Sequence, residues 1–181
     1  MVIGQPSIFR GDSFQILLSD STCSLRAAIL LGCQIRLAAK DRFDTDIPFP
    51  RLGVGIGEVA YKPSHGPVTS GQGTAFELSG RALDEAQRKH ITLRLLTPWA
   101  RVNRELDVEC TISDNLLKRM SIDQCRALSE AIRGRTQADI ASDFGVSQSA
   151  IQQRLAAAGA KALMTLVERF TEILAEEGTT G

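Results

Sequence analysis

Apolar positions along the first hundred residues change period from segment to segment. Val2-Ile3 and Ile8-Phe9 precede Gly11-Asp12, and Phe14, Ile16 and Leu18 alternate after it. That pattern predicts two short strands around a tight turn. From Ser21 to Lys40 the period becomes helical: Leu25, Ala28, Ile29, Gly32, Cys33, Ile35 and Arg36 share a face, and Leu37, Ala38 and Ala39 extend the run. Pro48 and Pro50 punctuate a connector. Leu52, Val54 and Ile56 then alternate with Gly53, Gly55 and Gly57, a strand so poor in side chains that something must approach its face closely. A polar loop leads to a predicted helix over 76–89, with Phe76, Leu78, Ala82, Leu83 and Ala86 inward, and to a strand over 91–96. The order strand-strand-helix-strand-helix-strand predicts an α+β or α/β layer arrangement.

After Thr97-Pro98 the pattern is helical only, over 104–120, 121–133 with Ser121 as N-cap, 136–144, 147–158 and 160–177. The division this predicts is a sheet domain over 1–98, a stiff linker helix within 99–120 and a helical domain over 121–181. The last helix carries Leu163, Val167, Phe170 and Leu174, with Leu166 and Ile173 beside them. This stripe is wider than a small three-helix domain needs to cover. Its preferred reading is a homodimer contact, with internal core packing as the alternative.

The densest pattern is TQADIASDFGVSQSAIQQRL, residues 136–155. Thr136 can cap a first helix, with Asp139 three residues on as the acceptor of a capping box. Ala141 must be small if a second helix crosses it, and Gly145 suits a left-handed C-terminal turn. Val146 plugs that turn, Ser147 caps the next helix, and Ile151 and Leu155 pack back on Ile140 and Ala141. The layout is that of a DNA-binding helix-turn-helix, whose second helix enters the major groove. Thr136, Gln137, Ser147, Gln148, Ser149, Gln152, Gln153 and Arg154 are the candidate contacts with double-stranded DNA. Glutamine can bond adenine bidentately, and arginine guanine or phosphate. The plain alternative is a capped helical hairpin. Residues 121–158 hold Arg126, Arg133, Arg135 and Arg154 against Asp123, Glu130, Asp139 and Asp143, so phosphate attraction is weak and binding leans on base contacts and dimerisation.

Composition narrows the classes. The chain has 181 residues, 43% apolar and 23% charged, enough to bury a core, and its 21 basic and 21 acidic residues cancel. No apolar run reaches the length of a membrane span, the N-terminus lacks the pattern of a secretory signal, and no membrane partner is expected. Cys23, Cys33, Cys110 and Cys125 form no CxxC pair, and His65 and His90 are the only histidines. Free thiols in a reducing cytoplasm, with no metal or other cofactor, are the expectation.

RGDSFQILL (10–18), RLGVGIGEV (51–59) and GTAFELSGRALDEA (73–86) resemble the catalytic core of class III nucleotide cyclases and diguanylate cyclases. The resemblance implies a metal-binding role for Asp12 and a triphosphate contact for Arg81, with Glu77 standing where those enzymes carry asparagine. GDSFQILL, GVGIGEV, FELSGRALDEA and TQADIASDFGVSQSAIQQRLAAAG together resemble the SatD family of bacterial regulators, which join this fold to a C-terminal helix-turn-helix. The resemblance spans nearly the whole chain, and it implies a truncated ferredoxin-like, cyclase-like α+β sheet domain followed by an all-α DNA-binding domain. Family members open with a strand carrying D-I-x-x-S and a long helix. This sequence starts at the second strand, so the expectation is an N-terminally truncated member.

Two-metal phosphoryl chemistry needs at least two carboxylates, and Glu77 would repel a triphosphate. No enzymatic activity is therefore expected. The leading reading is a cytoplasmic transcription regulator, dimeric, whose N-terminal domain serves dimerisation or senses a small molecule. A nucleotide-binding or cyclase-like enzyme dimerised through its helices is the alternative, and a protein-interaction module a third. Metal or nucleotide at Asp12 and Arg81 would favour the enzyme; paired recognition helices would favour the regulator.

Overall fold

The computed structural model describes residues 2–9, 13–61 and 68–178. The order is β1 (Val2–Phe9), β2 (Ser13–Leu18), α1 (Ser24–Phe43), β3 (Leu52–Gly55), α2 (Thr74–Arg88), β4 (Leu93–Leu96) and α3 (Ala100–Arg119). Four further helices follow: α4 (Ile122–Ile132), α5 (Gln137–Phe144), α6 (Gln148–Ala157) and α7 (Ala160–Gly178). The fold is mixed α+β with helices predominating.

β1 and β2 pair antiparallel, with Val2 opposite Leu18, Phe9 opposite Ser13 and an irregularity between Ile3 and Ser7. β3 and β4 pair parallel, Leu52 with Leu93 through Gly55 with Leu96, so β3, α2 and β4 form a βαβ unit. Among the described residues the two pairs are separate sheets. The close approach that the glycine strand demands is made by the chain itself. A Cβ on Gly55 would lie 2.2 Å from Ala75 O and Ser79 N, and one on Gly53 2.4 Å from Leu83 N. The backbone of α2 therefore occupies the face that a ligand would need.

α1 buries Leu25, Ala28, Ile29, Gly32, Cys33 and Leu37, and packs chiefly on α4. The sequence pattern understated it, because Ser21–Phe43 is long and apolar enough to cross a membrane by length and composition. Here its apolar face is covered by protein. Arg36 lies in the same contact, 5% exposed, and bridges the two parts of the chain. Its guanidinium donates to Met120 O, to Ile47 O at 2.8 Å and to Asp46 Oδ1 at 2.6 Å.

The helix after Pro98, expected as a stiff linker, is a packed core element. Val102, Leu106, Cys110 and Leu117 of α3 are buried, the helix lies on β4, and Asp114 accepts from Thr92 N at 2.7 Å. One contiguous core runs from Leu25 through Leu95 and Leu106 to Leu128, Ile151 and Phe170, across the expected boundary.

The stripe on α7 is likewise core. Leu163, Val167, Phe170 and Leu174 are each at most 5% exposed within the single chain, which overturns their expected role as a dimer face. α7 covers α6, α1, α3 and the short 3-10 helix Ser21–Cys23, so its wide stripe has intramolecular partners beyond the helical domain. A helix's apolar width reports how much it covers, not whose surface that is.

Candidate nucleic-acid interface

α5 and α6 form a helix-turn-helix with local geometry matching its sequence. Thr136 Oγ1 accepts from Asp139 N at 3.2 Å and donates to the Asp139 carboxylate at 2.6 Å, which closes the N-terminus of α5. Gly145 ends that helix at φ 63°, a left-handed conformation that costs glycine little. Val146 N then reaches back to Ala141 O at 3.1 Å. Ser147 caps α6 by accepting from Ala150 N at 3.2 Å. Ile140 and Ile151 are fully buried, Ala141 and Leu155 nearly so, and these four hold the two helices together. α4 supports them from behind, with its own Ser121–Gln124 capping box.

Gln148, Ser149, Gln152 and Gln153 are exposed on α6, with Thr136 and Ser147 exposed at the two helix starts. Gln137 is half-buried on the first turn of α5. The surface is therefore an amide-rich ridge flanked by capping hydroxyls. It can offer paired donors and acceptors to base edges, and little charge.

Arg154 sits differently. It is half-buried and its Nη2 lies 3.1 Å from Asp123 Oδ2, so it ties α6 to α4. The other three arginines of residues 121–158 are also paired: Arg126 with Asp41, Arg133 with Glu130, and Arg135 with Glu130 and Asp143. The Asp143 and Glu130 carboxylates hold the Arg135 guanidinium above its usual range. Residue counts show this module to be neutral; only the fold shows that each positive charge already has a carboxylate beside it. Asp123 and Arg154 are too far apart in sequence for any spacing rule to pair them. Exposed pairs of this kind contribute about 0–1 kcal/mol, so a phosphate could replace a carboxylate partner at small cost.

The nucleotide constellation is not assembled among the described residues. Asp12 and His65 lie outside them. Arg81 and Glu77 are both exposed on α2, away from the glycine face that the helix backbone fills. Among the described residues no three His, Cys, Asp or Glu side chains converge as a metal site. The four cysteines are free, and Cys33, Cys110 and Cys125 are buried. Burial pushes the Cys110 thiol up to about 12, which leaves it protonated and inert at neutral pH.

No protein-family model matches the sequence, and comparison with curated proteins and with solved structures finds no match either.

Proposed function

We propose that this chain is a DNA-binding transcription regulator of the cytoplasm that reads duplex DNA through α6. The carrying observation is the capped helix pair that leaves Gln148, Ser149, Gln152 and Gln153 exposed together on its second helix. Side-chain amides there match the paired donor and acceptor of adenine in the major groove. In this reading the N-terminal part is a degenerate, SatD-like and ferredoxin-like unit without catalytic activity. The packing of α2 on Gly53 and Gly55, which removes the open glycine face, supports that. Two copies acting on two half-sites suit the reading, with contact through a surface other than the α7 stripe.

Selection from random duplexes tests it. An enriched, adenine-containing motif is expected, and Gln152→Ala should weaken binding to it by about 1–3 kcal/mol. Because every arginine of the module is already paired, affinity should fall only shallowly with added salt. Enrichment of no sequence would overturn the reading. A palindromic motif would report two copies, and a single half-site one.

The paired arginines favour a second reading, in which α5 and α6 contact another protein rather than DNA. Absence of duplex binding at low salt, with a Gln153-dependent protein partner, would support that reading instead.

A further inference from the structure

A cavity of about 670 Å³ opens between α3 and α7, at the foot of α6. Ile112 and Leu116 of α3 and Leu166 of α7 give it aliphatic walls, and Ala156 of α6 borders it. Glu109 lines the same cavity, and its Oε2 is shielded from solvent without any hydrogen-bond partner. A carboxylate oxygen shielded from water without a partner is costly, even on a half-buried residue, and native structures keep few of them. Burial raises the Glu109 pKa, and the Glu105 carboxylate adds to the rise while Arg169 opposes it.

The neighbouring cation is already committed. Arg169 meets Glu105 at 3.0 Å and Glu172 and Glu176 at 3.5 Å. Glu109 is thus a fourth carboxylate around one guanidinium. Lys161, also on the lining, is exposed on the first turn of α7 and makes no ion pair among the described residues. Charge at the Glu109 end of the cavity is negative in surplus, and the walls are apolar. The carboxyl's final torsion is broad, so a small rotation presents either oxygen to an occupant.

We propose that this cavity binds a small molecule with an apolar body and one primary ammonium group. The ammonium donates to the Glu109 carboxylate, and the body covers Ile112, Leu116 and Leu166. Ammonium-to-carboxylate bonds are about twice as strong as neutral ones, and this one would satisfy the orphaned oxygen without moving a backbone. Ala156 belongs to the last turn of α6, so an occupant touches the helix offered to DNA. Binding itself stands apart from the DNA-binding reading; its consequence for α6 rests on that reading.

Calorimetric titration and thermal melting of the full chain test the site, with phenethylamine as probe and 2-phenylethanol and 3-phenylpropionate as matched neutral and anionic controls. Saturable binding of the amine is expected, about tenfold or more tighter than the alcohol, with no binding of the carboxylate. Glu109→Gln should keep the fold and abolish the preference for amine over alcohol. Ala162→Phe, which places a ring in the cavity from an exposed position on α7, should abolish amine binding with the melting curve retained. Equal affinity for amine and alcohol, preference for the carboxylate, or amine binding unchanged in Glu109→Gln would overturn the proposal. So would a concentration-dependent dimer that Ala162→Phe dissociates while the amine leaves it intact, because a second copy would then be the occupant. Repeating the duplex selection with phenethylamine present separates the two ideas. If the amine binds while no duplex is enriched in either condition, the ligand site stands and the DNA-binding reading falls.

Discussion

Asp114 and Glu109 lie about one and a half turns apart on α3, and their carboxyls shift in opposite directions. Burial pushes the Asp114 carboxyl up, but hydrogen bonds from Lys118 and Thr92 outweigh it and hold the group below its usual range. Thr92 contributes both its backbone N–H and its hydroxyl, and Lys118 lies at 2.5 Å. Glu109 has no such compensation at Oε2, so burial dominates and its pKa rises. The linkage signs follow. Asp114 stabilises the fold above its unfolded pKa, and that contribution disappears as pH falls through the lower folded value. Glu109 binds its proton more tightly when folded, so its ionisation costs stability above the raised folded pKa, and the cost vanishes below the unfolded value. Glu109→Gln should therefore raise stability at neutral pH, with the gain shrinking as pH falls through the carboxylate range. Asp114→Asn should lower it by about 1–3 kcal/mol at neutral pH, since an amide oxygen can still accept from Thr92 but lacks the charge that strengthens those bonds and pairs with Lys118. Denaturant titrations across that range would show the two differences converging towards zero from opposite sides. If both variants shift stability in the same direction at neutral pH, the assignment of Glu109 as an uncompensated carboxyl is wrong. A carboxylate that costs the fold stability is also what a ligand-binding group looks like.

Element boundaries and faces were largely legible, and the partners of those faces were not. The Ser121, Thr136 and Ser147 caps and the Gly145 turn all occur as their sequence predicts, because each depends on contacts within a few residues. The glycine strand and the α7 stripe each show in their sequence that they need close or extensive cover, but not that the cover comes from this chain. Their partners, α2 in one case and α1, α3 and α6 in the other, lie far along the chain, where periodicity carries no information. Phe170→Asp would therefore test folding rather than assembly. Two glycines make the local and distant cases measurable. Nothing lies within 4 Å of a Cβ placed on Gly145, so Gly145→Ala meets only the left-handed backbone, a cost of about 1–2 kcal/mol. Gly55→Ala drives a methyl group into the α2 backbone, and helix or strand must move. Equilibrium unfolding should show a folded, mildly destabilised Gly145→Ala and a Gly55→Ala variant that loses most of its cooperative transition. Equal, mild effects at both sites would mean that β3 and α2 do not pack this closely.

At the scale of the whole chain, the core does not respect the change of pattern at Pro98. α1 packs on α4, and the contact holds Arg36 bonded to Met120 O beside Cys33 and Cys125. α3 seals β4 on one side and touches α7 on another. The sequence suggested two units because hydrophobic periodicity is a local property: strands before the proline, helices after it. A buried arginine reaching from α1 to the end of α3 leaves no trace in that pattern. Cutting the chain at 98 would strip α4 of α1, which packs along it and covers Cys125, and leave Met120 O without its donor. An uncovered apolar face and an unpaired buried carbonyl are each enough to undo a helical domain this small. The full chain should therefore unfold in one transition. Trp99, the only tryptophan, stands at the join and is half-buried against the core, so its fluorescence reports on both sides. Its denaturation curve should coincide with that of helical circular dichroism, as a two-state chain requires. A fragment of residues 99–181 should keep helical content but melt without a sharp transition and bind a hydrophobic dye. Two separated transitions in the full chain, or a fragment that melts as sharply as the parent, would establish two independent domains and return α3 to the role of a linker.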